Sequence, residues 1–135
     1  MSFAPWSHGQ RGYIAFASLL VIAAVTLAVA VSTALLGLRE AVTAFAFARG
    51  EETLKVAESC IEEALLRLRR SAKYTGGTLS VGEGSCTVTV SGSPSGVLLT
   101  SVGTIPGPPA FTKRILVSAK VVGNAVNILS WAEVE

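Results

Sequence analysis

The sequence predicts an α+β fold: one long N-terminal helix, membrane-spanning in its first half, packs by its second half on a small antiparallel β-sheet. Three observations predict it. Residues 12–38 carry no charge and lie between Arg11 and Arg39. Residues 39–70 keep a helical period and contain no proline. From Ser71 onward the pattern becomes apolar–polar alternation broken by glycine- and proline-rich turns.

Residues 1–12 form a short polar leader containing Pro5, His8, Gly9, Arg11 and Gly12. Residues 13–38, rich in Ala, Val and Leu, form the transmembrane helix. At a rise of about 1.5 Å per residue this segment spans about 39 Å, whereas the hydrocarbon core is about 30 Å thick and needs about 20 residues. Residues 39–70 continue the same helix as an amphipathic segment. Leu54, Ala57, Ile61, Ala64 and Leu68 recur at spacings that put them on one face. Glu51 to Lys55 and Glu63 to Arg67 are favourable pairs with the acid on the N-terminal side. Arg67, Arg69 and Arg70 complement the macrodipole in the last turn. The sequence proposes one long helix over residues 13–70, about 85 Å if continuous, with Gly50 as its weak point and the sequence leaving open whether it bends or breaks there.

Residues 71–135 form the head, a sheet of about four strands. "CTVTV" (86–90) alternates strictly, "VLLTSV" (97–102) is a second strand, and "KRILVSAKVV" (113–122) points Ile115, Val117, Ala119 and Val121 inward. "AVNILSWAEV" (125–134) is the last strand, joined to its predecessor by a hairpin turn at Gly123–Asn124. "YTGG" (74–77) and "GEGS" (82–85) read as turns, and 91–96 and 106–111 as exposed loops that could contact other subunits or a ligand. A sheet this small has a marginal core, and the apolar face of the helix is its cover.

Composition limits the function classes. The chain has 135 residues, half of them hydrophobic and only 15% charged. Its net charge of +2 is scattered, which does not suggest nucleic-acid binding. It has no aspartate and one histidine, His8, in the N-terminal leader, so neither a Ser-His-Asp nor a Cys-His site is expected. The two cysteines, Cys60 and Cys86, match no zinc spacing. The glutamate pairs Glu51–Glu52 and Glu62–Glu63 read as a solvated helix face. The expectation is a non-enzyme without cofactor or metal.

Cys60 lies beside the inward stripe of the helix and Cys86 on the apolar face of a strand. If helix and sheet pack as expected the two can meet; otherwise they are separate buried thiols. A head outside the cytoplasm favours a disulfide. It would close a loop of about 27 residues and contribute about 3–4 kcal/mol.

The N-terminus admits three readings. Ala28-Val29-Ala30 resembles a signal-peptidase site, which would make the apolar segment a cleaved secretion signal; the apolar run, however, continues through Leu36 and Leu38. The segment also suits a plain signal anchor on a single-pass protein. The third reading starts from Gln10-Arg11-Gly12 followed by Tyr13-Ile14-Ala15-Phe16. A basic leader ending in glycine, then an aromatic residue, a long apolar helix, an amphipathic continuation and a small antiparallel sheet resemble a type IV pilin-like protein over the whole chain. The resemblance implies processing at Gly12 and Tyr13: a prepilin peptidase cuts between them and methylates the new N-terminus. It also implies assembly, through the N-terminal helix, with other pilin-like subunits on an inner-membrane platform.

Major pilins carry a glutamate five residues after the cut, where this chain has Ala17. K-type pseudopilins and some minor pilins lack that acid, so the resemblance implies a minor, initiating or tip component. The expected location is the cytoplasmic membrane, single-pass, with the N-terminus inside, as the positive-inside rule prefers, and the head outside. The partners are then membrane lipid and the proteins just named, without nucleic acid.

Overall fold

The computed structural model describes residues 8–134, and side chains from residue 12 onward. Most of the expected leader, residues 1–7, lies outside the described residues. The chain divides into two compact units, Met1–Ala44 and Phe45–Glu135.

The first unit is helix. Element α1 runs from His8 to Arg70 and therefore begins before Tyr13. In the first unit its described side chains are almost all exposed, including Leu19, Ile22, Leu27 and Leu36. The helix is formed by alanines and leucines of high propensity. Each serine and threonine from Tyr13 to Leu38 is accommodated by bonding back to the helix itself. Ser18 donates to the carbonyl of Ala15, Thr26 to Ala23, Ser32 to Ala28, and Thr33 to Val29 and Ala30.

The second unit is a two-layer α/β head. It contains the last turns of α1 and five strands: β1 (Gly76–Val81), β2 (Gly84–Ser93), β3 (Gly96–Ile105), β4 (Phe111–Val122) and β5 (Ala125–Val134). The strands form one antiparallel meander in the order β1-β2-β3-β4-β5. The stripe expected from periodicity is the packed one: Ala57, Ile61, Ala64 and Leu68 are buried, and Leu54 packs against their cluster. From the sheet it meets Cys86, Val88, Leu99, Ile115, Val117 and Ala119. α1 remains helical through Gly50, its weak point, as one long helix requires.

Five strands replace the expected four. β1 was hidden because Gly76 and Gly77 read as a turn and only Leu79 and Val81 offer inward apolar side chains. Its backbone nevertheless pairs with β2 from Gly76↔Thr89 to Val81↔Gly84. Pairing also absorbs the expected loops. Residues 91–93 belong to β2 and Gly96 to β3, leaving Pro94–Ser95 as the turn, while Phe111 already belongs to β4. Gly84 and Ser85, read as turn residues, start β2. The Gly123–Asn124 hairpin forms as expected, with Gly123 at φ 60°, a value that glycine reaches without a Cβ penalty.

Candidate functional site: the apolar helix and the pinned head

The Gly12–Tyr13 junction lies inside α1, not at its start. A Cβ built on Gly12 would meet no atom within 4 Å, and Tyr13 is 74% exposed. Both residues are thus accessible, but cutting between them requires local unwinding. Gly12 eases that unwinding, because glycine is about 1 kcal/mol less favourable in a helix than alanine. Ala17 follows with no carboxylate nearby in sequence before Glu40.

Beyond the junction, α1 is long and apolar enough to cross a membrane, and none of its most apolar window is buried. In hydrocarbon every polar group must be satisfied internally. The four hydroxyl side chains between Tyr13 and Leu38 meet that condition through their own helix, at donor–acceptor distances of 2.8–3.1 Å. A single-pass anchor is compatible with this segment.

In the head, helix and sheet are joined covalently. Cys60 and Cys86 form a disulfide with their Cα atoms 6.5 Å apart, and both residues are buried. The same line of contact carries three features that periodicity did not reveal. Ser101 is fully buried, and its hydroxyl donates to the Ala57 carbonyl at 3.0 Å. Thr53, also fully buried, donates to the Arg49 carbonyl at 2.7 Å. At Gly103 the sheet touches the helix backbone: an added Cβ would lie 2.9 Å from Ala57 N and 2.9 Å from Thr53 O. The signal for Ser101 and Gly103 was present as polar or missing side chains at inward positions of an alternating strand. Only a backbone passing overhead gives those positions their meaning.

Some charged groups of the head pair near the surface. Arg67 donates to Glu63 at 2.8 Å, as its spacing predicts, whereas no ion pair joins Glu51 to Lys55 among the described residues. Arg49 binds Glu52 at 2.9 Å and reaches Glu83 at 3.5 Å. The hydrogen bonds to Glu52 and Glu63 raise the Arg49 and Arg67 guanidinium pKa values above their ordinary range. Both groups are charged at neutral pH in any case, so this shift gives the head no pH switch. The Tyr74 hydroxyl is buried, and the Arg67 guanidinium lies 5.9 Å from the centre of its ring.

No family model, no curated protein and no solved structure matches the chain. The architecture itself is nonetheless type IV pilin-like, with a long apolar N-terminal helix whose last turns pack on an antiparallel sheet.

Proposed function

We propose that the chain is a structural subunit of the minor-pilin or K-type pseudopilin kind, belonging to a type IV pilus or a related secretion or uptake filament. The observation that carries this reading is the continuity of α1. The helix does not end where its apolar segment ends; the same helix supplies the layer on which the sheet of the head is built. A plain anchor has no need of that continuity. A subunit extracted from a membrane into a helical bundle does, since the helix must carry the head with it.

In this reading a prepilin peptidase cuts between Gly12 and Tyr13 and methylates Tyr13. The N-terminus is cytoplasmic and the head extracytoplasmic, where the Cys60–Cys86 disulfide persists. Extraction then exchanges lipid contacts for contacts between helices. Ala23, Ala24, Ala28, Ala30, Ala34 and Gly37 allow close approach of those helices. The partners are other pilin-like subunits, the inner-membrane assembly platform and membrane lipid. No catalytic role is assigned, because the chain lacks aspartate and has its one histidine in the N-terminal stub.

The second reading is a single-pass anchored binding module that never polymerises, in which the apolar segment serves only as an anchor. Mass spectrometry of the mature N-terminus in the native host separates the two. A methylated Tyr13 is expected, and Gly12→Leu should leave the leader uncut. An intact N-terminus, or one starting at Val31, refutes the filament reading.

A further inference from the structure

The two ends of the head differ in charge. Ser93 pairs with Gly96 and Val122 with Ala125, so the β2–β3 and β4–β5 turns share one end of the meander. The segment that follows α1 joins them there: the Val90 N–H donates to the Thr75 carbonyl, and the Val121 N–H to the Pro94 carbonyl. At the opposite end cations meet acids. Arg49 pairs with Glu52 and Glu83, and Lys113 with Glu133. At the turn end they do not. Arg69, Arg70, Lys73 and Lys120 are exposed, and none has a hydrogen bond or ion pair among the described residues. Between Glu63 and Glu133 the sequence has one acid, Glu83, and it lies in the β1–β2 turn at the other end. Glu63 is taken by Arg67. Glu62 shares a groove with Arg69 but stands two turns back along α1, about 10 Å away.

Cations gathered without acids repel one another and oppose folding. The helix dipole accounts for Arg69 and Arg70 in the last turn of α1, but not for Lys73, which lies beyond the helix, or Lys120, which lies on the sheet. Between the end of α1 and the β2–β3 turn is a cavity of about 190 Å³. Lys73, Thr75, Ser91 and Ser93 line it, and no acid does. Lys120 approaches the same turn from β4, since its neighbour Val121 is bonded to Pro94. An ammonium among hydroxyls suits a ligand that is itself rich in hydroxyls and negatively charged. Nucleic acid fits less well. Duplex DNA carries one charge per about 1.7 Å, far denser than four cations can follow. Single strands are held by stacking on aromatic side chains, and Tyr74, the aromatic residue at this end, is half-buried with Arg67 beside its ring.

We propose that the turn end of the head is a binding site for an acidic polysaccharide, a polymer of carboxylate-bearing sugars. One sugar enters the cavity, where Lys73 meets its carboxylate and Thr75, Ser91 and Ser93 bond its hydroxyls. The cavity is smaller than the about 300–1,000 Å³ of sites that enclose a drug-sized ligand, so neighbouring sugars stay on the surface. There Arg70 and Lys120 meet their carboxylates. The site does not rest on the filament reading, and either can fail alone.

The test uses the full chain in micelles of an uncharged detergent. Binding is read by fluorescence anisotropy with four end-labelled probes of matched length: polygalacturonate, neutral dextran, polyglutamate and duplex DNA. Polygalacturonate should bind about tenfold tighter than polyglutamate, which offers carboxylates without sugar hydroxyls, and dextran should not bind. Added salt should weaken the binding. Lys73→Gln should lower the affinity about tenfold and Lys120→Gln about threefold, each losing one charge-assisted contact. Arg114→Gln, near the start of β4 at the other end of the head, should leave it unchanged. Both lysines are exposed and on different elements, so each variant repeats the test on an intact fold, checked by its denaturant midpoint. No binding of polygalacturonate overturns the proposal. So does equal binding of polyglutamate, which would mean charge alone, or tighter binding of DNA, which would make this a nucleic-acid site. Lysine variants that bind like the parent chain overturn it as well.

Discussion

The two halves of α1 are one helix by hydrogen bonding and opposites by burial. Before residue 45 its described side chains are nearly all exposed, Leu27 at 66% and Leu36 at 60%. Between Thr53 and Leu68 a stripe of them is buried, with Ala57, Cys60, Ile61 and Ala64 at 0%. Apolar content does not separate the halves, because the exposed half is the more apolar. What separates them is partner geometry. The second half concentrates its apolar side chains on one face and finds a sheet there. The first half is apolar on every face and has no such sheet, so it suits an apolar solvent, with its hydroxyls turned back on its own carbonyls.

The comparison can be tested at four strengths. The largest effect is expected where the head is joined covalently. Replacing Cys60 and Cys86 together by alanine should cost about 2–5 kcal/mol of head stability, read as a fall in the denaturant midpoint followed by tryptophan fluorescence. An unchanged midpoint would mean that packing alone holds the layers. Next comes Leu27→Arg in the exposed half. It should leave that midpoint where it is, yet add about 2.5–3.5 kcal/mol to membrane insertion, measured as a shift of the chain from the membrane to the soluble fraction. If it melted the head instead, the proposed division of labour along α1 would be wrong.

A smaller effect, about 1–3 kcal/mol, is expected for Gly103→Val, whose side chain would enter the space held by the α1 backbone. Thermal denaturation reads it, and a neutral result would show that helix and sheet separate easily at that point. The smallest is Ser101→Ala, about 1 kcal/mol for one hydrogen bond to a carbonyl, measured in the same melt. A much larger loss would make that bond a determinant of the helix position.

Much of the fold was legible because its signals are local. The chargeless run to Leu38, the inward stripe from Ala57 to Leu68 and the alternation of Ile115, Val117 and Ala119 are each visible within one element. β1 was not legible, since a strand with two glycines and two inward apolar side chains is defined by the neighbour it pairs with. The disulfide was half legible: each cysteine could be placed on an inward face, but their meeting depended on the register of sheet against helix. Ile128 and Trp131, three residues apart, share a face only because the β4–β5 register shifts between Ser118 and Ala119, and nothing in β5 alone announces that shift or their exposure.

The sequence by itself determined the all-round apolar character of the first half of α1, the one-faced stripe of the second and the alternation of the sheet, because periodicity and hydropathy act between residues a few positions apart. Only the tertiary structure decided that Cys60 meets Cys86, that Gly103 must lack a side chain beneath Ala57, and that Ile128 and Trp131 stay exposed. Those outcomes depend on distances between segments far apart in the chain, and on the plain fact that one helix is narrower than five strands.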